Sequence, residues 1–205
     1  MKSFRSSLAL AATATLAAVI GFSSCKGGVD AGEAAIANIM TRTSVRSYLD
    51  KAVEPEKVEI LLRAGMAAPS AVNKQPWHFV VVTDQAEREL LAGTNRNARM
   101  IIQAPLAIVV CGNLDKALEG EAQEYWVQDA SAATENILLA ANALGLGAVW
   151  TGTYPLQERV KETSKVLNLP PNLVPLCTVV IGYPDKDNTP KDKWNEQNVS
   201  YGAFK

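Results

Sequence analysis

The sequence predicts a single domain that combines helices with a sheet, and three observations support this. Short apolar runs of strand length lie at residues 77–83, 106–111, 148–150 and 176–181. Longer stretches with apolar residues every three or four positions accompany them at 33–40, 55–67, 121–144 and 155–167, and another starts at Asp84. A length of 205 residues, with 48% hydrophobic and 20% charged residues, suits one domain with a full core. The net charge of −1 argues against nucleic acid as a partner, because that partner needs a basic face. The chain has no internal repeat and no low-complexity tract.

The first 25 residues differ in character from the remainder of the chain. Lys2 and Arg5 precede an apolar run over residues 8–22, and Ser23, Ser24 and Cys25 come next. A charged start, an apolar stretch too short to span a bilayer comfortably, and small residues before a cut read as an export signal. Cys25 after two serines resembles the lipid-modified cysteine of bacterial lipoprotein precursors, with Phe22 where that pattern usually carries leucine. Lipidation would anchor the exported chain in the cell envelope, with residues 26–32 as a flexible tether and 33–205 as the folded domain. Release as a soluble exported protein is the other reading.

Residues 33–40 set Ala34, Ala35, Ile36, Ile39 and Met40 on helical spacing. Arg42, Thr43, Ser44, Val45 and Arg46 then surround two hydroxyls with two guanidinium groups, a donor set suited to phosphate, although basic clusters also occur as plain solvated surface. The helix expected over 55–67 opens on Pro55 and buries Val58, Leu61, Leu62 and Met66. The stretch 68–77, APSAVNKQPW, holds two prolines and is therefore a fixed loop. Its Ser70, Asn73 and Gln75 can each donate and accept, and Trp77 adds an apolar plane, which suits a planar heterocycle with imide-like edges.

Beyond the next strand, Asp84 with Glu87 reads as a helix N-cap, and Asn95, Asn97 and Arg99 follow that helix. In 121–144, Trp126, Ala130, Ala133, Ile137, Leu138, Ala141 and Leu144 form a core stripe, rich enough in alanine to imply close packing. Gly145 and Gly147 end this helix ahead of a strand, the reverse of a dinucleotide-binding glycine loop, and read as a cap. Cys111 and Cys177 lie in apolar runs and read as buried thiols; spacing does not decide whether they pair. With no CxxC and a single histidine, His78, a zinc or thiol-redox centre is poorly supported, and His78 itself reads as a packed strand residue. Lys191 and Lys193 sit in a polar tail that alone reads as solvated charge.

APSAVNKQPWHFVVV closely resembles the APSxxNxQPWxF signature of the nitroreductase family, FMN-dependent oxidoreductases that fold as intertwined dimers. Three more segments resemble the family in its order: RxSxR at Arg42, Ser44 and Arg46; DxxxAxxNxLLAAxxLGLG from Asp129 to Gly147; and a basic pair, Lys191 and Lys193, after Gly182, Tyr183 and Pro184. The resemblance implies an α+β nitroreductase-like fold, a central mixed β-sheet flanked by helices, in an intertwined homodimer with FMN at the subunit interface. It implies that Arg42, Thr43, Ser44, Arg46, Lys191 and Lys193 hold the phosphate and ribityl chain, the lysines as point charges where relatives carry at least one arginine. It further implies that Pro69, Ser70 and Ala71 shape the pocket, across the dimer from the other chain, and that Asn73 and Gln75 address flavin polar edges. Asn97 would touch the flavin, and the backbone at Thr151 and Gly152 would lie beside the isoalloxazine.

The activity implied is two-electron ping-pong transfer from a reduced donor, NAD(P)H in the family, to a nitroaromatic, quinone or related acceptor. The cofactor carries that chemistry, so no acid, base or nucleophile is named. Two other functions use the same sequence features: flavin-dependent dehydrogenation of a substrate ring, and a lipoprotein that binds a ligand without catalysis. Residues 113–125 are where substrate selection is expected.

Overall fold

The computed structural model of the protein describes residues 30–204, so the export signal, Cys25 and most of the tether lie outside the described residues. The chain then runs α1 (Ala31–Thr41), α2 (Pro55–Met66), β1 (Trp77–Val82), α3 (Gln85–Thr94), β2 (Leu106–Asn113), α4 (Tyr125–Ala143), β3 (Gly147–Gly152), α5 (Gln157–Val166) and β4 (Leu173–Gly182). All nine match expected elements. Boundaries moved where local chemistry competed: α1 begins inside the expected tether, and the first turn of the expected 121–144 helix is a 3-10 turn over Gly120–Glu124. Residues 113–125 hold only the end of β2 and this turn, so no full helix stands where substrate selection was expected.

The sheet order is β1-β2-β4-β3, with every neighbouring pair antiparallel. The mixed sheet expected from the sequence is corrected accordingly. The one parallel pairing among the described residues is an isolated bridge from Ser44 to Ala148, made where the extended 44–48 segment touches β3 before turning to meet Pro184.

Side chains of β2 alternate between two cores because strand residues point to opposite faces in turn. Leu106, Ile108 and Val110 pack with Leu61 of α2 and Trp126, Ala130, Ile137 and Ala141 of α4. Ala107, Val109 and Cys111 pack with Leu91, Ala98 and Ile101. Covering both faces explains why β2 and β4 are continuous apolar runs, and each large side chain so buried stabilises the fold by about 1.5–3 kcal/mol. Cys177 lies in the first core and Cys111 in the second, so the two thiols are separated by the sheet and both are free. Burial pushes each up to about 12.

Two expectations about packing fail. Met66 ends α2 half exposed, since only Leu61 and Gly65 of that helix are buried. His78 is exposed on β1, an edge strand with no neighbour on its outer side among the described residues. Gly145 caps α4 as expected: its φ of 71° lets Leu146 N–H reach Ala141 O at 2.8 Å.

Candidate functional site

The segment from Arg42 to Leu49 is too polar to bury alone and is stapled to the sheet instead. Val45 N–H donates to Ala148 O (3.0 Å) on the free edge of β3, and the Val45 side chain is buried. Gly147 makes this approach possible, because a Cβ there would stand 2.6 Å from Val45 Cγ1. Tyr48 is buried, and its hydroxyl is within donating distance of Val45 O (2.6 Å) and Val180 O (3.1 Å). Burial holds that phenol in its neutral form well beyond the usual tyrosine range.

The same staple catches the C-terminal segment. Leu49 N–H donates to Tyr183 O (2.8 Å), Asp185 N–H to Ser47 O (3.3 Å), and Ser47 Oγ to the Asp185 carboxylate. Tyr183 is fixed from the other side: Lys57 Nζ lies 2.7 Å from its hydroxyl, which donates to Glu54 Oε2 (2.7 Å), while Lys51 sits 3.8 Å over its ring. The Tyr183 hydrogen bond is the main reason Glu54 titrates lower and Lys57 higher than usual.

The consequence is a hollow of about 400 Å³ whose lining is Arg42, Thr43, Ser44, Arg46, Asn188, Thr189, Lys191 and Lys193. Six of these eight were named from the sequence, from stretches about 150 residues apart. Among the described residues only Arg42 of the four cations has a carboxylate within 4 Å, Glu135 at 3.3 Å. Such a concentration of positive charge with one carboxylate beside it, interleaved with four hydroxyl or amide groups, fits a phosphate monoester with a polyhydroxyl chain.

Arg46 also lines an adjoining hollow of about 230 Å³, with Asn95, Asn97, Trp150, Thr151, Gly152 and Arg159. Thr153 N–H bonds inward to Leu176 O of β4 (3.0 Å). By alternation along the strand, the backbone groups of Gly152 and Trp150 face outward into this hollow. The Gly152 carbonyl is held by Arg159 Nη1 (3.1 Å) and Asn95 Nδ2 (3.4 Å), which leaves its N–H toward the hollow. This is a fitting edge for a flat ring with acceptor atoms.

Asn95, Arg159 and Glu135 were not foreseen. Asn95 is buried and also caps the following turn through Asn97 N–H (3.0 Å), a dual role that an N-cap pattern at Asn95 could have suggested. Arg159 and Glu135 carried no signal, because each acts through a fold contact with a segment distant in sequence.

The signature loop stands apart. Pro69, Ser70, Ala71, Asn73 and Gln75 line neither hollow; Gln75 borders a separate depression with Trp77, His78 and Lys116. Ala71 N–H donates to the buried Asp129 of α4 (2.8 Å), Gln75 N–H to Ser70 Oγ (2.9 Å), and Gln75 Nε2 to Asn73 Oδ1 (3.1 Å). Val72, Asn73 and Gln75 all adopt φ between 50° and 56°, strained for side chains other than glycine, and Val72 is 82% exposed.

A larger groove of about 970 Å³, bordered by Asp50, Arg88, Gln103 and Asp185, contains none of these site residues. Its one guanidinium, Arg88, is spent on the carbonyls of Ile101 (3.3 Å), Ile102 (3.2 Å) and Ala104, so it offers no free cation. No cluster of metal-binding side chains occurs among the described residues.

An α+β domain with a cationic hollow, and beside it a second hollow on an outward-facing sheet edge, has the donors that a phosphorylated planar cofactor needs. The profile of the Nitroreductase family matches residues 39–93 and 91–183. The chain is 40% identical over 161 residues to a provisionally assigned NADH dehydrogenase/NAD(P)H nitroreductase of Methanothermobacter thermautotrophicus, covering 78% of this chain and 83% of that protein. A similarly assigned crystal structure from Bacteroides thetaiotaomicron is 46% identical, with a TM-score of 0.79 over 83% of this chain and 98% of that one. A nitroreductase-type structure from Desulfovibrio desulfuricans, in complex with FMN, is 31% identical with a TM-score of 0.71, over 83% and 98% of the two chains. The chain is a member of the nitroreductase family.

Proposed function

We propose that this protein is an FMN-dependent oxidoreductase moving two electrons in separate half-reactions, from a reduced donor such as NAD(P)H to a nitroaromatic, quinone or related acceptor. The observation that carries this reading is the convergence of Arg42, Ser44 and Arg46 with Lys191 and Lys193 on one hollow. When bound, FMN supplies the redox chemistry itself: it takes up a hydride equivalent and gives up two electrons.

The chain's own residues bind and orient. Arg42, Arg46, Lys191 and Lys193 neutralise the phosphate, with Thr43, Ser44 and Thr189 as hydroxyl partners. Arg46, which borders both hollows, would also bring positive charge to the ring site and so would favour a reduced, anionic flavin. Gly152 N–H, Thr151 and Asn97 address the ring edge.

The rest of the ring site comes from a second copy of the chain. In a single chain none of α1 is buried, leaving Ile36, Ile39 and Met40 exposed, together with Met66 and Val72. Pairing through this face would cover them and present Ser70, Asn73 and Gln75 to the partner's flavin. At the N-terminus we read residues 1–25 as an export signal and Cys25 as the lipid anchor. Cys25→Ala is expected to move the protein from the detergent to the aqueous phase on partitioning; an unchanged distribution would remove the anchor.

The activity is tested anaerobically with the full chain loaded with FMN. NADH or NADPH should bleach the visible flavin absorbance without any acceptor, and menadione or a nitroaromatic added afterwards should restore it. Absence of bleaching by either nucleotide contradicts the proposed donor.

A further inference from the structure

We infer that Glu135 is a positioning residue that presents Arg42 to the phosphate and thereby makes the site select a phosphorylated flavin over riboflavin. The inference rests on the FMN reading and adds to it a residue that is not part of the hollow's lining.

The geometry is specific about which atoms meet. Glu135 Oε1 forms an ion pair with Arg42, nearest at Nε, 3.3 Å away. A guanidinium has five N–H donors, and the carboxylate stands on the Nε side, which leaves the four on the terminal nitrogens for a ligand. Those four have no hydrogen-bond partner among the described residues, and Arg42 lines the phosphate hollow. A pair made end-on through the terminal nitrogens would have consumed the fork that a phosphate needs.

The backbone is anchored on both sides of the pair, while the Glu135 side chain itself is 48% exposed. Arg42 is the C-cap of α1, its N–H donating to Asn38 O (3.2 Å), and its side chain is only 19% exposed. Asn38 in turn donates to Leu139 O (3.0 Å) and receives from Asn142 (2.9 Å), both on α4. Glu135 lies between Thr134, fully buried, and Asn136, which donates to Ala64 O of α2 (3.0 Å). An arginine held this way loses little rotamer freedom when phosphate arrives, whereas ordering a free one costs about two- to tenfold in affinity. Arg46, Lys191 and Lys193 have no carboxylate within 4 Å among the described residues, and Arg46 is held only by a long contact from Nη1 to Ser44 O (3.5 Å), so Arg42 is the one cation of the cradle braced by an ion pair.

Removing the carboxylate has two opposite effects, which two variants separate. Glu135→Gln keeps an oxygen for Arg42 Nε–H but removes the negative charge; Glu135→Ala removes both. Dissociation constants for FMN and for riboflavin are measured by flavin fluorescence quenching on the full chain, with thermal melting as a folding check. Glu135→Ala is expected to weaken FMN about three- to tenfold and leave riboflavin unchanged, while Glu135→Gln binds FMN as tightly as wild type or tighter.

An unchanged FMN constant in Glu135→Ala overturns the inference alone, since wild type would still bind FMN. Equal weakening of FMN and riboflavin also overturns it, by pointing to general damage. If Glu135→Ala tightens FMN, the carboxylate acts only by repulsion and the inference again fails. A wild-type protein that binds FMN no better than riboflavin overturns the phosphate cradle and this inference together.

Discussion

The cationic hollow and the signature loop both gather polar side chains and are built in opposite ways. The cradle is closed by contacts within one chain: Val45 on Ala148, Tyr48 on Val180 and Ser47 with Asp185 fold two distant segments over one hollow. The loop turns its groups outward, with Asn73 and Gln75 exposed and Val72 strained at its tip, and its backbone is tied to the core by Asp129 at Ala71 and by Asn113 N–H at Pro76 O (2.9 Å). A segment held in strained conformations, yet lining neither the cationic hollow nor its neighbour, fits a role in a contact made from outside the chain. The difference teaches that the cationic hollow is complete within one chain, whereas the signature loop has a role only under the proposed pairing with a second copy.

Breaking the cradle should give the largest effect. Arg42→Ala combined with Arg46→Ala removes two charge-assisted donors worth about 1.5–3 kcal/mol each, so FMN affinity should fall more than about a hundredfold while the melting temperature barely moves. Titration of the variant with FMN checks this. Breaking the loop should instead cost stability. Asp129→Ala leaves Ala71 N–H without its acceptor, at about 1–3 kcal/mol by denaturant unfolding, and Asp129→Asn, which keeps an oxygen there, should recover most of that loss.

The strain itself can be relieved. Val72→Gly suits a φ of 50° and should stabilise the chain by about 1 kcal/mol; a destabilised variant would show that the tip conformation is not strained.

The effect that is smallest at neutral pH, where it vanishes, belongs to the two buried thiols and appears only in alkaline solution. Burial raises Cys111 and Cys177 from 9.0 to about 12. Their contribution is therefore fully present below pH 9 and is lost as pH rises through the window up to 12, at about 1.4 kcal/mol per pH unit for each thiol. A Cys111→Ala, Cys177→Ala variant should show a flatter decline of unfolding free energy above pH 9.

Much of this was legible in the chain because the features were local. The Asp84 cap, the proline-opened α2, the apolar β2 and β4 and the Gly145 stop each depend on residues within a few positions. The cradle residues were legible only through resemblance, since nothing in the spacing of Arg42 and Lys191 says that Tyr48 and Asp185 bring them together. What stayed hidden was non-local. The antiparallel sense of every strand pair is set by how the connections return, and Met66 and His78 are exposed because of where an end turn and an edge strand fall in three dimensions. Glu135 and Arg159 do their work through contacts with residues distant in sequence, which no periodicity reports.

If one phosphorylated isoalloxazine occupies the hollow between the N-terminal arginines and the C-terminal lysines, the protein should carry its colour. The visible absorbance spectrum of the full chain after gel filtration tests this most directly. Bands of oxidised flavin that co-elute with the protein, or that do so once FMN has been added, are the predicted result. A chain that elutes colourless even after incubation with excess FMN would contradict it.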